Sequence, residues 1–255
     1  MKVGAPLTLL LLVVAGQSSV VKSGDARLPE SFLRCKRSDP DLNSCLHTAV
    51  QKAIQELKNG NLDLKMPPLD PLVVTNISIE DGAGRPVTIN LQLNDVEIHG
   101  LSNAHLKAVS ADLEKRYLEF QAEVPLTRIV ANYVMQGKFL VLPIRGNGKC
   151  NMNFTDHDVT VRIRSEPLSM NENIYWDIKE FDLKSVNLKL FQVNFENLFN
   201  GEKELGDNTN KVLNENWKEF FEELRPTLHD TFGVVFLKLA NTLFHKVPEN
   251  EIFLK

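Results

Sequence analysis

The sequence predicts an α+β fold in which a strongly curved antiparallel β-sheet wraps one long, kinked C-terminal α-helix, with a short helix near the N-terminus. Three observations carry that prediction. From about Leu72 to Phe195 the apolar residues recur with a period of two, as on antiparallel strands packed on one face only. The alternation changes phase at Asn94-Asp95, between Ile178 and Phe181, and between Leu190 and Val193, and each such slip implies a bulge or bend that coils the sheet. From Leu213 onward the period becomes that of a helix for more than thirty residues, which gives a coiled sheet something to wrap.

The chain of 255 residues opens with a segment unlike the rest. Lys2 precedes a nearly continuous aliphatic run from Leu7 to Val14, followed by small and polar residues from Ala15 to Ser19. This is the pattern of a secretory signal peptide, and the apolar run is too short to span a bilayer. Residues 1–22 are assigned to the signal, with cleavage between Ala15 and Gly24, and residues 23–255 to a single secreted domain without stable membrane insertion. In an oxidising compartment Cys35 and Cys45 are expected to pair. Cys150 is left over; a buried small hydrophobe and a reactive or intermolecular thiol are its two readings. Two sequons, at Asn76 and Asn153, are expected to accept glycans on a secreted chain.

Asp41 can cap a helix in which Leu42, Cys45, Leu46, Ala49, Val50, Ala53, Ile54 and Leu57 share one face, and Gly60 closes it. With Cys45 in the first turn, the disulfide would staple that turn to the N-terminal segment. The prolines of Met66-Pro67-Pro68-Leu69-Asp70-Pro71 make an extended linker into the sheet. Val87, Ile89, Leu91 and Leu93 begin the alternation. The Leu118–Val124 run is ended by Pro125, and the Val159–Ile163 run presents Arg162 and Arg164 outward. Asp81-Gly82-Ala83-Gly84 and Gly146-Asn147-Gly148 supply turns. In the C-terminal part, Leu213, Trp217, Phe220, Phe221, Leu224, Leu228, Phe232, Val235, Phe236, Leu239 and Leu243 stay in phase across Pro226, so one kinked helix is expected. At about 1.5 Å per residue it would exceed roughly 45 Å. No repeat or domain linker interrupts the chain.

The formal net charge of −4, with no basic run longer than Lys36-Arg37, excludes a nucleic-acid binder that works through phosphate contacts. The sequence contains no nucleophile elbow, no Walker-type phosphate loop and no His-x-x-x-His pair. No cofactor and no metal are therefore predicted, and no enzyme. Asp156-His157-Asp158 is the densest cluster of polar chemistry and reads as a solvated turn between strands. What stands out is apolar: 14 Phe against 3 Tyr and 2 Trp. A sheet rolled around a helix must fill its interior with side chains or leave a cavity. The reading is a secreted carrier of a small hydrophobic ligand.

The chain also resembles the insect takeout and juvenile-hormone-binding protein family. The resemblance rests on Leu28-Pro29 before Cys35, Asp41-Leu42-Asn43-Ser44-Cys45-Leu46, Met66-Pro67-Pro68-Leu69-Asp70-Pro71-Leu72, and Gly100-Leu101. It continues with Tyr133 and Gly137, Leu142-Pro143-Ile144-Arg145-Gly146-Asn147-Gly148, Asn197-Leu198-Phe199-Asn200-Gly201 with Leu205, Asn214-Glu215-Asn216-Trp217, and Glu223-Leu224-Arg225-Pro226. Each piece is weak alone; their order and spacing are specific. The resemblance implies a tubular lipid-binding fold, an elongated internal cavity for a terpenoid such as juvenile hormone, a fatty acid or a similar lipid, and secretion into haemolymph or sensory fluids. The unpaired Cys150 resembles the takeout branch. Trp217, Phe220, Phe221, Leu224, Leu228 and Phe232 are the candidate cavity wall. Tyr133 is the candidate polar handle, the other reading being a packed ring with its hydroxyl bonded to backbone. The competing functions are a secreted signalling module acting through a protein partner and a lipid-acting enzyme.

Overall fold

The computed structural model describes residues 27–80, 87–139 and 142–255. The signal segment and the Asp81-Gly82-Ala83-Gly84 turn lie outside the described residues. Near the N-terminus a short strand, β1 (Cys35–Lys36), precedes helix α1 (Leu42–Glu56). Asp41 stands at the N-cap, where its carbonyl accepts from the Ser44 and Cys45 amides but its side chain makes no capping bond. Cys45, in the first turn, is joined to Cys35. A single 3-10 turn follows the helix and ends at Gly60, whose φ of +75° suits glycine alone among common residues.

The sheet consists of β2 (Leu72–Glu80), β3 (Val87–His99), β4 (His105–Asp112), β5 (Tyr117–Phe139), β6 (Leu142–Met170), β7 (Asn173–Val186) and β8 (Leu190–Phe195). Its order is β2-β3-β5-β6-β7, with β4 also on β5 and β8 also on β6. The spine is the antiparallel β5–β6 pair, which runs from Tyr117 opposite Arg164 to Phe139 opposite Leu142. Each spine strand has a broken partner. Along β5, β3 ends with His99 opposite Arg128 and β4 resumes with His105 opposite Glu123. Along β6, β7 ends with Val186 opposite Asp158 and β8 resumes with Leu190 opposite Thr155. Both breaks fall at the level where the β5–β6 ladder itself skips Pro125 and Asp156, the latter at φ +44°. A seam thus crosses all four strand lines.

At the seam the inward phase changes. On β5, Leu118, Phe120, Ala122 and Val124 face in on one side, and Thr127, Ile129, Ala131, Tyr133 and Met135 on the other. On β6, Cys150, Met152 and Phe154 give way to His157, Val159, Val161 and Ile163. Pro125 therefore does not end its strand. It lacks an amide proton, and it sits where neither β3 nor β4 pairs with β5 to require one.

Two of the predicted phase slips are bulges. The β3–β5 register shifts between Asn94 and Glu97 around Asp95, and the β6–β7 register shifts at Arg164/Ser165, leaving Lys179 as the extra residue. The third, expected between Leu190 and Val193, falls inside β8, whose register with β6 is unbroken; the discontinuity lies just before it, between Val186 at the end of β7 and Leu190 at the start of β8. Gly146-Asn147-Gly148 is not a turn but lies inside β6, opposite Met135, Val134 and Tyr133. Its glycines are required by close approach: a Cβ at Gly146 would lie 2.9 Å from Leu198 Cα, and one at Gly148 2.9 Å from the Glu196 carbonyl oxygen.

The C-terminal region contains two helices where the periodicity predicts one. Leu213 belongs to α2 (Lys203–Glu215), and the long helix α3 (Trp217–Phe244) starts afresh after Asn216, whose φ of −108° leaves the helical range. Its 28 residues span about 42 Å at 1.5 Å per residue and include Pro226. A short helix α4 (Glu249–Ile252) and strand β9 (Phe253–Leu254) follow.

A curved sheet that does not close on itself exposes the unpaired amides and carbonyls of its last strand, and such an edge invites aggregation unless covered. Here the helices cover it with side chains that mimic a strand. Asn210 pairs with both the amide and carbonyl of Phe195, Asn214 with both groups of Val193, and Asn241 with both groups of Ile178. The Ser185 amide donates to His229 Nε2 at 2.9 Å. These contacts fasten α2 and α3 along the β7–β8 edge. At the far end β9 pairs in parallel with β1, and Trp176, fully buried, stacks on Phe244 and meets the Phe253 ring at a tilt.

Candidate ligand cavity

The interior is packed at both ends of the tube. At one end Leu93, Tyr133, Phe191 and Phe220 are almost completely buried, and at the other Trp176, Leu118, Ile163 and Ile178. Between them lies a stretch that is not filled. Phe120, Ala122, Val159 and Val161 share the inward phase of Leu118 and Ile163, yet remain partly exposed while those flanking residues are 4% and 5% exposed. The surface they expose faces a cavity of about 390 Å³. Its remaining walls come from Phe181 and Leu183 of β7, Phe221, Leu228, Phe232 and Phe236 of α3, and Val50 and Ile54 of α1. The volume and the dominance of apolar side chains are those of small-molecule sites.

Of the residues expected to form the wall, Phe221, Leu228 and Phe232 do line the cavity. Phe220 and Leu224 are buried in the packed end, and Trp217 packs against that same cluster. Tyr133 does not reach the cavity: it is 2% exposed, its hydroxyl donates to the Glu196 carbonyl at 2.6 Å, and its ring meets Phe195 edge-on. Cys150 is free and buried, and burial pushes its thiol pKa up to about 12, so it serves as a small apolar side chain. Asn76 is exposed on β2, whereas Asn153 is half-buried in β6 with a neighbouring strand on each side.

Among the described residues the cavity has four polar lining residues, Thr127 on β5, His157 on β6, Ser185 on β7 and His229 on α3, and no charged one. His157 is the residue the sequence reading misplaces. It does not lie in a solvated turn but inside β6, only 6% exposed. The phase change between Phe154 and Val159 swings it inward and leaves Asp156 and Asp158 to ion-pair with Lys189 and Lys107. Among the described residues no group of three or more His, Cys, Asp or Glu side chains could hold a metal ion.

Both histidines are held neutral. Burial is the main cause for His157 and lowers its pKa below 6.5, against the opposing pull of Asp158, the Phe154 backbone and Asp156. Burial lowers that of His229 too, aided by Arg225 and Lys184 and opposed by Asp182 and Asp230. Well above pH 6.5 the imidazoles are neutral in folded and unfolded chains alike. As pH falls below 6.5 the unfolded chain takes up protons that the folded protein refuses, so stability is lost from 6.5 down to the depressed folded values. Urea midpoints measured from about pH 7.5 down to pH 5 are expected to fall, and His157→Phe to flatten the profile. A flat wild-type profile would contradict this assignment.

Helix α1 covers the gap between β3 and β4. Gln51 donates to the Ala104 carbonyl at 3.0 Å and accepts from the Leu106 amide at 2.8 Å, and His47 Nε2 lies 3.0 Å from the Leu106 carbonyl. The disulfide anchors the first turn of the same helix. No helix among the described residues is long and apolar enough to cross a membrane.

Comparison with known proteins places this geometry. The family model described as haemolymph juvenile hormone binding protein matches residues 9–254. The circadian clock-controlled protein daywake of Drosophila melanogaster is 27% identical over 259 residues, covering 99% of this chain and 98% of its own length. Daywake of Drosophila yakuba is 26% identical over 233 residues, with 88% of each chain covered. Among solved structures, Takeout 1 of Epiphyas postvittana superposes with a TM-score of 0.74 at 25% identity, covering 88% of this chain and 100% of that one.

Proposed function

The chain belongs to the haemolymph juvenile hormone binding protein family, and from that premise we propose that it is a secreted carrier which holds one small hydrophobic molecule in its central cavity. The observation that carries this reading is the unfilled stretch between two well-packed ends, lined almost wholly by aliphatic and aromatic side chains. A native core of this size would ordinarily be filled at crystal-like density, and an empty apolar volume forfeits dispersion contacts that a ligand restores. A terpenoid or fatty acyl chain that withdraws about 300 Å² of apolar surface from water gains about 7–8 kcal/mol before the costs of association. Carriage needs no covalent step. Access runs past α1, which covers the gap between β3 and β4 through side-chain hydrogen bonds rather than a strand ladder.

The test is direct titration of delipidated protein with an apolar fluorescent probe such as N-phenylnaphthylamine. Saturation at one probe per chain, reversed by an added terpenoid or acyl lipid, is the expected result. Absence of saturable uptake would refute the carrier reading.

A further inference from the structure

Resting on the carrier reading, we propose that the seam of the sheet forms a polar subsite part-way along the cavity, where His157, Ser185 and His229 receive an uncharged oxygen function of the ligand, a ketone, an ester or a hydroxyl. The subsite follows from register. Ser185 pairs with Val159, two residues beyond His157, so the two side chains are diagonal neighbours on the inner face of β6–β7. His229 is held against the same position by its bond from the Ser185 amide. Phe154, whose ring centroid is 6.3 Å from that of His157, closes one side.

Two atoms of this cluster are buried and have no hydrogen-bond partner, His157 Nδ1 and Ser185 Oγ. Buried polar atoms are nearly always satisfied, and an orphaned pair beside a cavity marks where a ligand atom can complete them. His229 adds a donor. Because its Nε2 accepts from a backbone amide, its neutral ring carries the proton on Nδ1.

The chemistry of the cluster selects the ligand class. A neutral imidazole and a hydroxyl can donate to or accept from an uncharged oxygen. They cannot neutralise a carboxylate, and among the described residues no Lys or Arg lines the cavity to do so. An ionised acid would be buried unpaired, at a cost far above that of an uncharged oxygen. A pure hydrocarbon would leave both orphaned atoms unsatisfied. The subsite therefore favours a neutral oxygenated lipid over both.

The experiment displaces bound N-phenylnaphthylamine with four ligands of matched length: pentadecane, its mid-chain ketone, methyl myristate and myristate, at about pH 7.5. The ketone is expected to bind about five- to tenfold more tightly than pentadecane, the worth of one net hydrogen bond, and the methyl ester more tightly than myristate. In Ser185→Ala and in His157→Phe the ratio of ketone to pentadecane affinity is expected to fall toward one. Each variant is to be used only with a wild-type-like urea midpoint, and either alone suffices. Equal wild-type affinities for ketone and pentadecane, or a preference that survives both substitutions, would overturn the subsite while leaving the carrier reading intact. If no ligand displaces the probe and the probe itself does not bind, the carrier reading fails, and the subsite with it.

Discussion

Replacing Ala122 with tryptophan is expected to abolish ligand uptake while leaving the protein folded. Ala122 lies on β5 between Leu106 on β4 and Val159 on β6, with its methyl group facing the cavity. An indole there occupies a large part of the 390 Å³ and crosses the path of any extended chain. Because it fills a void rather than displacing packed neighbours, it is expected to leave stability unchanged or to raise it by about 1 kcal/mol. The loss in affinity for an apolar probe is expected to exceed about a hundredfold, since a ligand denied half its contact area loses roughly half of its burial energy. Gln121→Trp, on the outward face of the same strand, is the control and should bind normally. Fluorescence titration of both variants, with urea unfolding as the check on folding, decides the matter. Undiminished binding in Ala122→Trp would place the ligand elsewhere.

The largest expected effect on stability lies at the far end of the tube. Glu249 opens α4 and is 7% exposed, and both of its oxygens are used: one by Arg37, next to β1, the other by Arg116, in the β4–β5 turn, at 3.1 Å. Burial alone would raise its pKa, but the two guanidinium hydrogen bonds outweigh that and hold it below 4.5. The carboxylate thus ties the C-terminal segment to the N-terminal strand and to the sheet. Glu249→Ala is expected to cost about 2–4 kcal/mol, because it strands two partly buried guanidinium groups. Since the folded pKa is depressed, the contribution of Glu249 is present above pH 4.5 and lost as pH falls through the folded value. The window assigned to His157 and His229 opens at about pH 6.5 and that of Glu249 at about 4.5, so the histidine effect sets in first as pH is lowered. Urea unfolding at neutral pH measures the first, and a change under about 1 kcal/mol would show the cluster to be a solvated surface pair.

Much of this architecture is legible in the residues. The bulge at Asn94-Asp95 and the extra residue near Lys179 are written as changes of parity in the apolar pattern, as is the helical stripe of α3. The same rule, applied fully, would have found His157. Cys150, Met152 and Phe154 lie in even phase, whereas Val159, Val161 and Ile163 lie in odd phase, and the strand that joins them must turn position 157 inward. Reading Asp156-His157-Asp158 as a polar turn hid this, because composition was allowed to outweigh parity. Pro125 misled in the same way, since the cost of a proline in a sheet depends on whether a neighbour needs its amide. Other features need the tertiary structure. Gly146 and Gly148 are dictated by the return of Glu196–Leu198 over β6, which no local pattern reports. The break at Asn216 is invisible to periodicity because Leu213 and Trp217 are spaced as they would be on one continuous helix. Tyr133 has the chemistry of a polar handle, but its hydroxyl is taken by the Glu196 carbonyl. Whether inward side chains meet or leave a void depends on the curvature of the sheet, set by the bulges and the seam together rather than by any one residue.

The most direct test of the central claim is native mass spectrometry of the delipidated protein after exposure to a mixed extract of neutral lipids and terpenoids. The account predicts one discrete small apolar adduct per chain, released by organic extraction, restored by adding the released compound back, and absent from Ala122→Trp. A protein that stays at its bare mass against every component of the extract would contradict it.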